Sequence, residues 1–416
     1  MTATTSSLPL RAAEAMASDL STALALSPRL DGGDGDSPRW RHQSLSQGAA
    51  GVAILHAVRA QAGHGGDERV HAWLTRAVVE GLSVGPGAGL WFGAPAVAFA
   101  VAASAPQRYR RAMIRLDAAV ADLVQARLHA AEARMAAAAR PSLSEFDLVR
   151  GLAGLGAHLL HRDPGGDLVR RVLDYLVRLT EPVPAHDDAG PGAPGWWTND
   201  APAGQPEASG GHADLGMAHG ISGPLAFLAL AMRRGVIVAG HAEAIDRICH
   251  WLDTWQQQAP AGPWWPQRLS LTDLRTGRPS PPGPARPSWC YGTPGLARAQ
   301  QLAALARGDQ ARQAAAEQAL AACVADPAQL ARVIDPHLCH GWAGLAATVW
   351  HAAADAVTTA LDAHLPLLVR ALIDHADEET ISPLPGLIDG RAGVALTLHT
   401  IATATPSTWP VCLLIN

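Results

Sequence analysis

The sequence predicts an all-α fold: an α/α toroid of seven inner helices ringed by seven outer ones. Three observations predict it. A glycine turn followed by an apolar helical run recurs seven times. The runs after the turns are apolar almost all round, whereas the stretches between them carry one apolar stripe. Strand-like alternation is nearly absent. An open helical solenoid is the rival arrangement.

The repeat unit is a glycine, two residues, a small residue, then an apolar run. It begins at Gly48-Ala-Ala-Gly51 and returns in weaker form at Gly93-Ala-Pro-Ala96. Then come Gly151-Leu-Ala-Gly154, Gly220-Ile-Ser-Gly223, Gly292-Thr-Pro-Gly295, Gly341-Trp-Ala-Gly344 and Gly390-Arg-Ala-Gly393. Successive lead glycines are 45, 58, 69, 72, 49 and 49 residues apart. The equal last intervals are expected of repeated supersecondary units. Paired glycines suit close backbone approach at a helix start. The run from Pro224 to Leu230 is apolar throughout and should be buried. In 167–180, Leu168, Val169, Val172, Leu173, Leu176 and Val177 form one stripe, as do Ile245, Ile248, Leu252 and Trp255 in 243–255.

Residues 1–40 form an N-terminal extension with a helix around 11–26, ahead of a helical domain at 41–416. Two loops rich in Gly and Pro, 182–216 and 259–287, lead into site turns. Loops this long in a compact domain are usually functional or mobile, and they are expected over the mouth of the barrel.

At 416 residues with 48% apolar content the chain can bury a large core. A formal charge of −5 argues against a dedicated nucleic-acid binder. All 32 basic residues are arginine. Five scattered cysteines do not make a disulfide framework. The first thirty residues show no signal-peptide pattern. The longest uncharged stretch, 81–106, is broken by Pro86 and Pro95, so no transmembrane span is expected. A cytoplasmic protein is the default.

Aligning the repeats on the lead glycine makes the chemistry legible. The preceding residues are Gln47, Phe92, Arg150, His219, Tyr291, His340 and Asp389. One position earlier stand Ser46, Trp91, Val149, Ala218, Cys290, Cys339 and Ile388. In a closed barrel these positions converge, so Cys290 and Cys339, on adjacent repeats, can meet at one ion with His340. A thiolate just before a helix start is favoured by the helix dipole. Two thiolates and an imidazole suit Zn²⁺, and a three-residue shell leaves a fourth position open. The plainer reading is two buried cysteines and a helix-start histidine. Cys249, Cys323 and Cys412 read as core residues. His219 could be a fourth ligand, a core histidine or an acid/base group. Asp147 could be a helix-cap or loop carboxylate, and Arg286 a solvated loop arginine.

The stretches Ala218-His-Gly-Ile-Ser-Gly223, Trp289-Cys-Tyr-Gly-Thr-Pro-Gly295 and Cys339-His-Gly-Trp-Ala-Gly344 resemble the three signature motifs of the lanthionine synthetase C-like (LanC) cyclases. The resemblance runs from about Ser44 to the C-terminus. It implies an α/α toroid with a single zinc held by Cys290, Cys339 and His340. It implies that His219 is the active-site histidine, that Asp147 matches a family aspartate, and that Arg286 and Tyr291 line the site. Ala96 departs from the family's second glycine and leaves that turn's geometry in doubt. The implied reaction is intramolecular Michael addition of a peptide Cys thiol to dehydroalanine or dehydrobutyrine, giving (methyl)lanthionine. The implied partners are a dehydrated precursor peptide, a separate dehydratase and a transporter. The alternatives are addition of glutathione or another small thiol to dehydrated peptides, and a non-catalytic zinc toroid that binds peptide.

Overall fold

The computed structural model describes residues 7–25, 42–104, 107–183, 192–201, 210–377 and 380–416. In chain order it forms α1 (Ser7–Ala25), α2 (Ala49–Gln61), α3 (Asp67–Val78), α4 (Ala94–Ser104), α5 (Arg110–Ala136), α6 (Leu143–Phe146), α7 (Leu152–Arg162) and α8 (Asp167–Leu179). After β1 (His212–Asp214) come α9 (Ser222–Arg233), α10 (His241–Thr254), β2 (Gln257–Ala259), β3 (Gly262–Trp264), β4 (Arg268–Ser270) and α11 (Leu271–Thr276). The chain continues through α12 (Thr293–Arg307), α13 (Gln310–Ala325), α14 (Pro327–Leu330), α15 (Trp342–Asp355), α16 (Leu365–Asp374) and α17 (Arg391–Thr403). The class is all-α, as expected.

Two compact units share these elements. One comprises Met1–Ala121 and Val333–Cys412, the other Asp122–Arg332 and Leu413–Asn416. In the first, α2 packs on α3 and α4, α15 on α16 and α17, and α17 on α2; α1 lies along α17 and α16. Residues 1–6 and 26–40 of the expected N-terminal extension lie outside the described residues. In the second unit α7 packs on α8 and α9, and α12 on α9 and α13. Helices α2, α4, α7, α9, α12, α15 and α17, one after each glycine turn, are buried along most of their length. By contrast α8 buries mainly one face, including Val169, Val172, Leu173 and Leu176. The sequence periodicity is thus expressed as burial.

Main-chain hydrogen bonds tie neighbouring turns together. In the first unit Leu338 and Cys339 N–H donate to the Ile388 carbonyl, Leu387 N–H to Leu45, and Leu45 N–H to Trp91. In the second, Leu148 N–H donates to Ala218, and Met217 and Ala218 N–H both donate to Cys290.

The second glycine of the repeat has a steric cause. A Cβ at Gly51, Gly223, Gly295, Gly344 or Gly393 would come within 3.0 Å of the carbonyl oxygen six residues earlier. Backbone there cannot retreat without breaking the turn. Gly344→Ala should therefore cost about 1–3 kcal/mol, read as a fall in thermal midpoint. The second repeat, with Ala96, turns differently. Its lead glycine, Gly93, sits at φ +73°, whereas Gly48, Gly151, Gly292, Gly341 and Gly390 are extended.

The two long loops carry the strands. β1 pairs antiparallel with β4, placing Asp214 opposite Arg268, and β2 pairs with β3. At three residues each they are too short to register as alternation. Residues 184–191 and 202–209 of the first loop lie outside the described residues.

Candidate active site and metal ligands

The second unit assembles an acid/base pair. Asp147, in the turn before α7, is 1% exposed. Its Oδ1 accepts the N–H groups of Arg150 and Gly151, both at 2.6 Å. Its Oδ2 lies 2.7 Å from His219 Nδ1. The carboxylate thus both caps the turn and partners the histidine. A carboxylate at Nδ1 holds the proton there and leaves Nε2 for chemistry. Burial disfavours charge on His219, but the hydrogen bond and charge of Asp147, helped by Asp214, outweigh burial and Arg150. Its pKa lies above the ordinary histidine value.

His219 is locked to the Cys290 turn, because the two residues before it donate to the Cys290 carbonyl at 2.8 and 3.3 Å. The Tyr291 ring lies 6.2 Å from the His219 ring. Cys290 is buried, with its Sγ 3.7 Å from Ser288 Oγ. Arg286 sits half-buried in the loop before α12.

Asp214 was not expected. It is 2% exposed at the end of β1, and its Oδ1 accepts Gly216 N–H at 2.9 Å. It also bonds the Tyr291 hydroxyl, and Arg268 Nε lies 3.8 Å from its Oδ2. Burial pushes its pKa up to about 6, against the opposing pull of Gly216 N–H, Arg268 and His219. Burial, then the Asp214 charge, raises the Tyr291 hydroxyl well above its ordinary pKa, so it stays a donor.

In the first unit Cys339 and His340 stand side by side at the start of α15, both partly exposed. Asp335, also unexpected, lies 3.7 Å from His340 Nε2 through its Oδ2. A simple signal would have found both aspartates. Asp214, Arg286 and Asp335 each stand six residues before a lead glycine, a register further out than the two aligned above. The carbonyls of Asp214 and Asp335 accept equivalent N–H groups, from Ile221 and Trp342.

All five cysteines are free. Cys249, Cys323 and Cys412 are buried, as expected of core residues, and burial pushes the first two thiols up to about 12. Among the described residues no helix is long and apolar enough to cross a membrane.

The described residues thus form an all-α fold built on glycine turns, with an Asp–His pair at one turn and a Cys-His pair at another. The chain belongs to the lanthionine synthetase C-like protein family, which it matches over residues 39–414. Thirteen chains of known structure match it. One is "Nisin cyclase", at a TM-score of 0.75 and 18% identity, covering 97% of each chain. At that identity the likeness shows a shared fold. No curated protein matches the sequence.

Proposed function

We propose that this chain is a zinc-dependent lanthipeptide cyclase. It would close (methyl)lanthionine rings by adding a peptide Cys thiol across the double bond of dehydroalanine or dehydrobutyrine in the same peptide. The observation that carries the reading is the Asp147–His219 pair, fastened to the Cys290 turn. Family membership and the fold shared with "Nisin cyclase" support it.

Cys290, Cys339 and His340 would hold one zinc ion. The donor set fits by its chemistry, since two thiols and an imidazole are ligands zinc favours. When bound there, zinc would supply acidity, lowering the pKa of a substrate thiol to near neutral. His219 does the proton work. Its Nε2 takes the thiol proton, the S–Cβ bond forms, and the double-bond pair moves onto Cα and the adjoining carbonyl. The imidazolium then returns its proton to Cα. Asp147 steadies the charged ring. Arg286 would face the developing enolate oxygen, and Tyr291, held by Asp214, lines the site.

Upstream stands a separate dehydratase that makes the dehydrated precursor peptide, with a transporter downstream and a cytoplasmic setting for the reaction. The test is to incubate the protein, with zinc, with a peptide containing dehydrobutyrine and cysteine. Ring closure leaves the mass unchanged but removes the alkylatable thiol. A thiol that remains would overturn the reading. A glutathione adduct formed preferentially would assign the site to small-thiol addition instead.

A further inference from the structure

We propose that Asp335, held by His337 and the backbone of Ser382, is a positioning residue that makes His340 bind metal through Nδ1. This rests on the zinc reading above. It concerns which atom ligates and what sets it.

The tautomers follow from one backbone donor. The Ser382 N–H lies 3.0 Å from His337 Nε2. A backbone amide can only donate, so Nε2 must accept, and the neutral ring carries its proton on Nδ1. That Nδ1 lies 3.1 Å from Asp335 Oδ1, which therefore accepts. The same oxygen accepts the His337 N–H at 3.0 Å. With Oδ1 occupied twice, the carboxylate is fixed in rotation. Its second oxygen, Oδ2, is the one turned to His340 Nε2, at 3.7 Å. A carboxylate oxygen facing Nε2 favours the tautomer protonated there, which leaves the lone pair on Nδ1. Ligating histidines commonly direct their other ring N–H at a carboxylate. The whole chain, Ser382 to His337 to Asp335 to His340, lies within the first unit. Asp335 is largely buried, with a side chain 20% exposed, and that of His337 is 11% exposed.

The chain of donors makes one substitution informative. In Asp335→Asn the amide oxygen must stay on His337, because His337 Nδ1–H needs an acceptor. The amide N–H₂ then faces His340 Nε2. Two donors cannot share that contact, so His340 must move its proton to Nδ1, where no metal can bind. The apparent zinc affinity, measured by competition with a chromophoric chelator, should fall about 10–100-fold. Unchanged far-ultraviolet circular dichroism of the zinc-free protein would show that the fold survives. Wild-type affinity in the variant overturns the proposal. A second measurement needs no variant. In the zinc-loaded wild type, long-range ¹H–¹⁵N correlation identifies the ligating nitrogen of His340. Nδ1 supports the proposal, and Nε2 overturns it. If the wild-type protein takes up no zinc at all, the zinc reading itself fails, and this inference falls with it.

Discussion

Cys339→Ala should reduce bound zinc from about one ion per chain to near zero, and ring formation should fall with it to the rate of the unassisted addition. Removing one of three protein ligands leaves two, too few to hold the ion against solvent, and ligand removal is felt directly as lost binding energy. Metal content of the purified variant and loss of peptide thiol, assayed together, make the check. Cys290→Ala should behave alike. Retained stoichiometric zinc in either variant would remove that residue from the ligand set. Cys323→Ala is the control. Its thiol is buried, contacts Gln329 and has no site role, so zinc should be retained.

The second large effect is expected at His219. In His219→Ala zinc should stay bound while cyclisation falls about 10²–10⁴-fold, the usual range for a lost acid/base group. Lost zinc would instead mark His219 as a fourth ligand. Asp147→Asn gives the matching pH signature. The carboxylate raises the His219 pKa, so its removal should shift the acid limb of the rate profile, where the base becomes protonated, to lower pH. The effect on stability has a definite sign. A histidine whose folded pKa is raised contributes stability that is fully present below its unfolded value of about 6.5 and is lost as pH rises through the folded value. Asp147→Asn should therefore destabilise the protein more at pH 6 than at pH 9. The asparagine oxygen can still accept the Arg150 and Gly151 N–H groups, so the turn itself should persist. An identical penalty at both pH values would argue that Asp147 acts only as a cap.

Much of this was legible in the chain. Each lead glycine marks the start of a buried helix, and at five of the turns the glycine three residues on is needed because a Cβ there would meet the carbonyl six residues back. The apolar stripe of 167–180 became the buried face of α8. His219 stood out because repeats align by counting. Asp214 and Asp335 did not, although counting six positions back would have exposed them. A carboxylate in a loop reads as solvated, and only the pairing of β1 with β4, or the turn that brings Asp335 under His340, shows otherwise.

By itself the sequence determined the all-α class, the positions of the glycine turns and the residue types suited to thiol and proton chemistry. These are local matters, set by periodicity, steric demand and ligand chemistry over a few residues. The tertiary structure decided which oxygen meets which nitrogen. His219 has its tautomer set by an aspartate 72 residues away, and His337 by a backbone amide 45 residues away. A proton's place on an imidazole depends on what the other nitrogen faces. No spacing in the chain states that, because it is fixed only when distant turns pack.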